Sequence, residues 1–187
     1  MRDYPTISLA DARRDYLATS TTAMPISGFL AWAALAVAAY LLGDRLPYFA
    51  PFIAAAVPFP LALIIDKLRG EPGIQAESRR NPVTQLFMRF ILVVALLIPL
   101  VIIAARATGD LDLLLLGLAI LAGMVWVPHG WGADDPAGFI VFLLRTVLCY
   151  AAYLFAPEAV RGAAIAGATA LTYVYATLAM KKPSSAR

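Results

Sequence analysis

The chain has 187 residues, of which 61% are hydrophobic and only 14% charged, and its mean hydropathy is +0.78. An apolar share this far above the roughly 45–50% of soluble domains excludes an ordinary water-soluble domain and calls for lipid around the surplus. The net charge of +3 does not point to nucleic acid, because the basic residues fall at the ends of apolar runs rather than in one polar patch.

A spanning helix takes about 20 mostly apolar residues, and six runs meet or approach that length: 23–42, 47–65, 86–105, 111–128, 138–156 and 159–180. They are continuous rather than the alternating ten-residue segments of an outer-membrane barrel. The expected fold class is therefore all-α, a bundle of six transmembrane helices. Residues 1–22 form an arm before it, 23–180 the membrane domain and 181–187 a tail. If the arm is cytoplasmic, Arg2, Arg13, Arg14, Lys67, Arg69, Arg79, Arg80, Lys181, Lys182 and Arg187 share its side, against Arg45, Arg106 and Arg161 opposite. Ten against three is a positive-inside bias that places both termini in the cytoplasm. The first apolar run starts late and is as long as a span, so it reads as a retained helix rather than a cleaved signal. Arginine outnumbers lysine twelve to three and alanine is abundant, a composition that points to a GC-rich bacterial genome, so the expected location is a bacterial inner membrane.

In the arm, Ser8 to Asp11 ("SLAD") has capping-box spacing and predicts a short helix to about Leu17. Leu9, Ala12, Tyr16 and Leu17 share a face that either lies on the inner leaflet or docks on the neighbouring loop. Pro25 falls in the first turn of the first span, where a missing N–H costs little. The second span, "YFAPFIAAAVPFPLALIID", carries Pro51 in its first turn and is expected to kink at Pro58 and Pro60. Such a break either packs as an ordinary kink or frames a transported substrate. Residues 66–81 are the longest polar stretch, and Asn81 before Pro82 reads as a helix cap. Pro99 predicts a gentler bend in the third span.

Residues 126–135, "WVPHGWGADD", hold the only histidine, His129. Pro128, Gly130 and Gly132 are expected to stop the fourth helix, leaving a cytoplasmic turn with Trp126, Trp131 and His129 in the interfacial belt. Asp134 and Asp135 precede the fifth helix, where its dipole favours them. One histidine and two aspartates in one turn are too few for a zinc site, and no P-loop, nucleophile elbow or paired-cysteine motif occurs. Neither metal nor cofactor is expected. Cys149, the single cysteine, reads as a small core residue.

Arg145 lies seven positions into the fifth run, roughly 10 Å along the helix, where a charge costs about 2.5–3.5 kcal/mol unless it finds water or a partner. Cys149 and Tyr153 continue its face, with Thr146 and Tyr150 beside it, and Thr169, Thr172, Tyr173 and Thr177 on the last helix offer a facing polar seam. Either Arg145 receives an anionic headgroup or substrate oriented by those tyrosines, or it snorkels to pair with Asp134, Asp135 or Asp66. Gly162, Ala166 and Ala170, four apart, allow close helix approach, within the bundle or between copies.

"FPLALIIDKL" at 59–68, "NPV" at 81–83, Pro99 and "GMVWVPHGW" at 123–131 resemble the spaced motifs of an uncharacterised bacterial family of small multi-helix membrane proteins, a domain of unknown function. The likeness spans roughly residues 25 to 180. It implies a helical membrane fold and a pairing of the "FP" helix with the "PHGW" turn, and it carries no catalytic residues. Three functions follow. The first is an accessory membrane protein binding lipid, a partner membrane protein or a second copy. The second is a small-molecule transporter with a polar pocket near Arg145. The third is a membrane-embedded enzyme, which needs His129, Asp134, Asp135 and Asp66 to converge.

Overall fold

The structure is a computed structural model that describes residues 7–71 and 76–182, so Arg2 and Arg187 of the basic count lie outside the described residues. Among those residues there is no strand. The helices are α1 (Leu9–Ala18), α2 (Met24–Leu42), α3 (Ala50–Ala56), α4 (Pro58–Leu68), α5 (Pro82–Thr108), α6 (Leu111–Met124), α7 (Trp126–Ala133), α8 (Ala137–Phe155) and α9 (Arg161–Ala179). Five helical stretches are long and apolar enough to cross a membrane, and the bent α3–α4 pair makes a possible sixth. At 1.5 Å per residue, the 19 residues of α2 extend about 28 Å, the thickness of a bilayer core.

Helix starts follow the local chemistry of the chain. Ser8 Oγ accepts from the Asp11 N–H at 3.2 Å, Asn81 Oδ1 from the Val83 N–H at 2.9 Å and Asp110 Oδ1 from the Leu113 N–H at 3.0 Å, each satisfying a donor that the first helical turn leaves open. In the second span the break falls at Val57, with a 41° bend between α3 and α4. Pro58 there lacks an N–H, and its ring crowds the carbonyl four residues back. Pro60 sits in the first turn of α4, where no helical donor is missed. Pro99 is carried inside α5, which runs unbroken from Pro82 to Thr108.

The stretch 126–135 differs from the expected turn. After a short break at Val125 the chain stays helical through Pro128, Gly130 and Gly132 as α7, and reverses only at Asp134, whose φ is 52°. The glycines here serve contact rather than termination. A Cβ on Gly130 would lie 2.6 Å from the Asp135 carbonyl oxygen, and one on Gly138 would lie 2.7 Å from the Gly130 Cα. Only two glycines allow α7 and α8 to meet backbone to backbone at this corner.

Polar groups gather at two ends of the bundle. One end holds α1, the start of α2, the end of α4, the start of α5, the α7–α8 corner and Lys181. Here Asn81 Nδ2 donates to the Ala12 carbonyl at 2.8 Å and to Asp15 Oδ2 at 3.2 Å. The other end pairs Tyr153 with Asp110 at 2.7 Å and Arg161 with Asp112 at 3.8 Å, and sets Arg106 over the Tyr48 ring at 5.6 Å.

Between these ends, Trp32, Leu114, Leu115, Leu118, Val141 and Ile165 are fully buried among α2, α6, α8 and α9. The most extensive helix pair is α2 with α9, and Ala166 and Ala170 of the small-residue stripe are buried in the chain's own core. The outer faces are apolar: Leu92, Leu96, Leu100 and Ile103 of α5 are all exposed. The arm docks inward, with Ala12 and Tyr16 buried against Val83, so its apolar face is spent on the bundle, while Leu9 stays exposed.

Asn81→Ala removes the α5 cap and both bonds to α1 together. A loss of about 1–3 kcal/mol is expected, read as a lower melting temperature in detergent and earlier protease cleavage of the arm.

Candidate functional site

Arg145 is fully buried in α8. Its Nε donates to Thr172 Oγ1 at 2.9 Å and its Nη1 to the Tyr173 hydroxyl at a long 3.5 Å, while the guanidinium carbon stands 4.2 Å from the Tyr173 ring centre. Thr172 Oγ1 passes its own proton to the Thr169 carbonyl at 2.7 Å, so it is free to accept from Arg145. The stem fits because residue 123 on α6 is glycine: a Cβ there would come within 2.8 Å of Arg145 Cδ. One turn further along α8, Cys149 Sγ meets Thr169 Oγ1 at 3.3 Å.

The polar seam between α8 and α9 is therefore present, but the expected pairing of Arg145 with Asp134, Asp135 or Asp66 is not. Each of those carboxylates has other partners. Asp134 pairs with Arg13 at 2.8 Å, and its carbonyl accepts from Lys181 Nζ. Asp135 accepts from the Ala137 N–H at 3.0 Å and the Lys181 N–H at 2.7 Å, joining the start of α8 to the chain after α9. Asp66, buried at the end of α4, accepts from Thr22 Oγ1 and from the N–H groups of Thr22 at 2.9 Å and Ala23 at 3.1 Å, anchoring the residues that lead into α2. These contacts satisfy backbone donors locally, which a carboxylate reaches more cheaply than a cation deep in the core.

The tyrosines separate as helix geometry requires. Tyr150 is about 140° around the helix from Arg145 at 3.6 residues per turn and is exposed on the outer face. Tyr153 belongs to the opposite polar end, on Asp110. Only Tyr173 shares the Arg145 site. The kinked α3 and α4 pack chiefly on α2 and α6, so they do not frame that site either.

His129 makes a separate cluster. Its Nδ1 lies 2.8 Å from the Tyr16 hydroxyl, and its ring packs edge-on to Trp126 at 5.6 Å and against Phe87 at 6.1 Å. Burial raises the Tyr16 phenol above its ordinary value, with a Ser20 hydrogen bond partly opposing, so it stays protonated and shares a hydrogen bond with Nδ1 whose donor is set by the ring tautomer. Among the described residues no group of three His, Cys, Asp or Glu is placed to hold a metal. Tyr16 escapes a sequence reading as a partner of His129 because the two are 113 positions apart; its place on the apolar face of the arm was the available signal. Tyr16→Phe leaves the ring packing intact and removes one bond, so a loss of about 1 kcal/mol is expected in a detergent melt.

Beside the α7–α8 corner a groove of about 360 Å³ is lined by Arg13, Trp131, Asp134, Pro136 and Phe139 among others. Arg13 stands 4.7 Å from the Trp131 ring centre. No curated protein and no solved structure matches the chain. Its match lies instead with a family defined by sequence, covering residues 9–182, and the chain belongs to that family of unknown function, DUF7010.

Proposed function

We propose that the chain is a multi-pass protein of the bacterial inner membrane, crossing six times with both termini in the cytoplasm, and that it acts as an accessory protein binding lipid or a partner membrane protein. The observation that carries this reading is α5. Among the candidate spans it contains the most apolar stretch, and only 6% of that stretch is buried within the chain, so a surface about the length of a bilayer waits for apolar cover. The distribution of charge supports the orientation. Arg13, Arg14, Lys67 and Lys181 lie at the end with α1, while Arg45, Arg106 and Arg161 lie at the other, in agreement with a positive-inside arrangement.

The test is affinity purification of the full chain from membranes after photocrosslinking from residues along α5. An accessory role predicts crosslinks from Leu92, Leu96 and Leu100 to lipid or to one recurrent membrane protein. Crosslinking of these positions to other parts of the same chain would contradict it. Transport activity in proteoliposomes, absent from an Arg145→Met variant, would favour the transporter reading instead.

A further inference from the structure

We propose that the seam around Arg145 is a binding site for a small monovalent inorganic anion of the halide class, held by the Arg145 guanidinium and the Trp126 indole N–H, which both pack on Tyr173.

The first ground is charge. A guanidinium does not give up its proton in a protein, and full burial of an ion carries a penalty of several kcal/mol even after relaxation. Buried arginines are accordingly found paired. Arg145 is fully buried, yet among the described residues its partners are a threonine hydroxyl, a tyrosine hydroxyl and an aromatic face. All three are neutral. A desolvated cation–π contact offsets only part of such a penalty.

The second ground is the set of donors left over. Among the described residues, Arg145 Nη2 and Trp126 Nε1 are both buried without a hydrogen-bond partner. The two side chains touch the same ring: Trp126 meets Tyr173 edge-on at 5.9 Å, and the Arg145 guanidinium stacks on it at 4.2 Å. Two orphan N–H donors beside one unbalanced positive charge ask for a negative acceptor. A cation or a neutral acyl chain would leave all of them unsatisfied.

The third ground is size. Tyr173 fills the position where a Cβ on Gly28 would stand, and the Arg145 stem fills that of Gly123. With both sides of the seam closed by side chains and Arg145 fully buried, a phospholipid headgroup is excluded and any guest is limited to a monatomic or similarly small ion. This inference is independent of the accessory role proposed above.

The test uses the full chain in nanodiscs, exchanged into sodium gluconate and titrated with sodium chloride at constant ionic strength. The melting temperature and tryptophan fluorescence are followed. For the wild type a saturable rise of about 5 °C or more is expected once chloride is well above its dissociation constant. Arg145→Met, which keeps length and apolar volume, should melt in gluconate at or above the wild-type temperature and show no chloride dependence. Trp126→Phe, which keeps the ring and removes the N–H, should fold and require at least several-fold more chloride for the same shift, which keeps the test decisive if Arg145→Met does not fold. No chloride-dependent shift in the wild type, or an undiminished one in both variants, overturns the proposal. A shift produced by phosphate or by anionic lipid and not by chloride also overturns it, by assigning the charge to a larger anion.

Discussion

Gly138→Ala is expected to lower the melting temperature by about 5–10 °C or to abolish a monodisperse folded species. The added Cβ would meet the Trp126 carbonyl oxygen and lie within 2.7 Å of the Gly130 Cα. Both are backbone atoms, so no side-chain rotation relieves the clash and the α7–α8 corner must open. Overpacking that shifts backbone costs about 1–3 kcal/mol or more, and each kcal/mol moves the midpoint by about 2–4 °C at this chain length. Opening the corner also disturbs Asp135, which ties α8 to Lys181. Gly167→Ala is the control. It lies in α9 with nothing within 4 Å of the added atom, and alanine there should be neutral or slightly stabilising through helix propensity. Equal melting of the two variants would refute the backbone contact between α7 and α8.

Asp66→Ala should destabilise by about 3 kcal/mol, an effect of similar size. The helix whose entry it anchors has no side-chain cap, since Ala23 stands at the N-cap. Removing the carboxylate leaves the Thr22 and Ala23 N–H groups without their acceptor, at about 1–3 kcal/mol for each donor stranded in a buried place. It also removes a negative charge from the positive end of the α2 dipole. Asp66→Asn keeps one acceptor oxygen and should fall between wild type and alanine. Hydrogen exchange at the start of α2, together with a denaturant titration, reads both effects; protection unchanged in Asp66→Ala would show that α4 does not hold α2 in this way.

The helices themselves were legible because continuous apolar runs of bilayer length leave few alternatives, and Ser8, Asn81 and Pro25 mark helix starts through chemistry confined to one turn. The course of 126–133 was not. Pro128, Gly130 and Gly132 are stop signals in isolation, and their effect is overridden by α8 and by the Tyr16 ring. A Cβ on Gly132 would come within 2.8 Å of that ring, so close packing claims the glycines that a local reading assigns to a turn.

Arg145 shows the same division. Its burial follows from its position in an apolar run, which the sequence displays. Its partners do not follow, because Thr172 and Tyr173 are 27 and 28 positions away and the carboxylates that looked available are held by backbone N–H groups, Arg13 and Lys181. His129, Asp134, Asp135 and Asp66 are likewise each held in a different contact, although all belong to one end of the bundle.

The central claim is that the helices cross a bilayer six times, with α1, Asp134 and Lys181 on the cytoplasmic side. Cysteine labelling tests it directly, since the single native thiol, Cys149, is buried and can be replaced by alanine to give a blank background. In intact cells Asp44→Cys and Gly109→Cys should react with an impermeant maleimide, whereas Asp134→Cys and Lys181→Cys should react only after permeabilisation. Labelling of Asp44→Cys and Lys181→Cys from the same side would contradict the account.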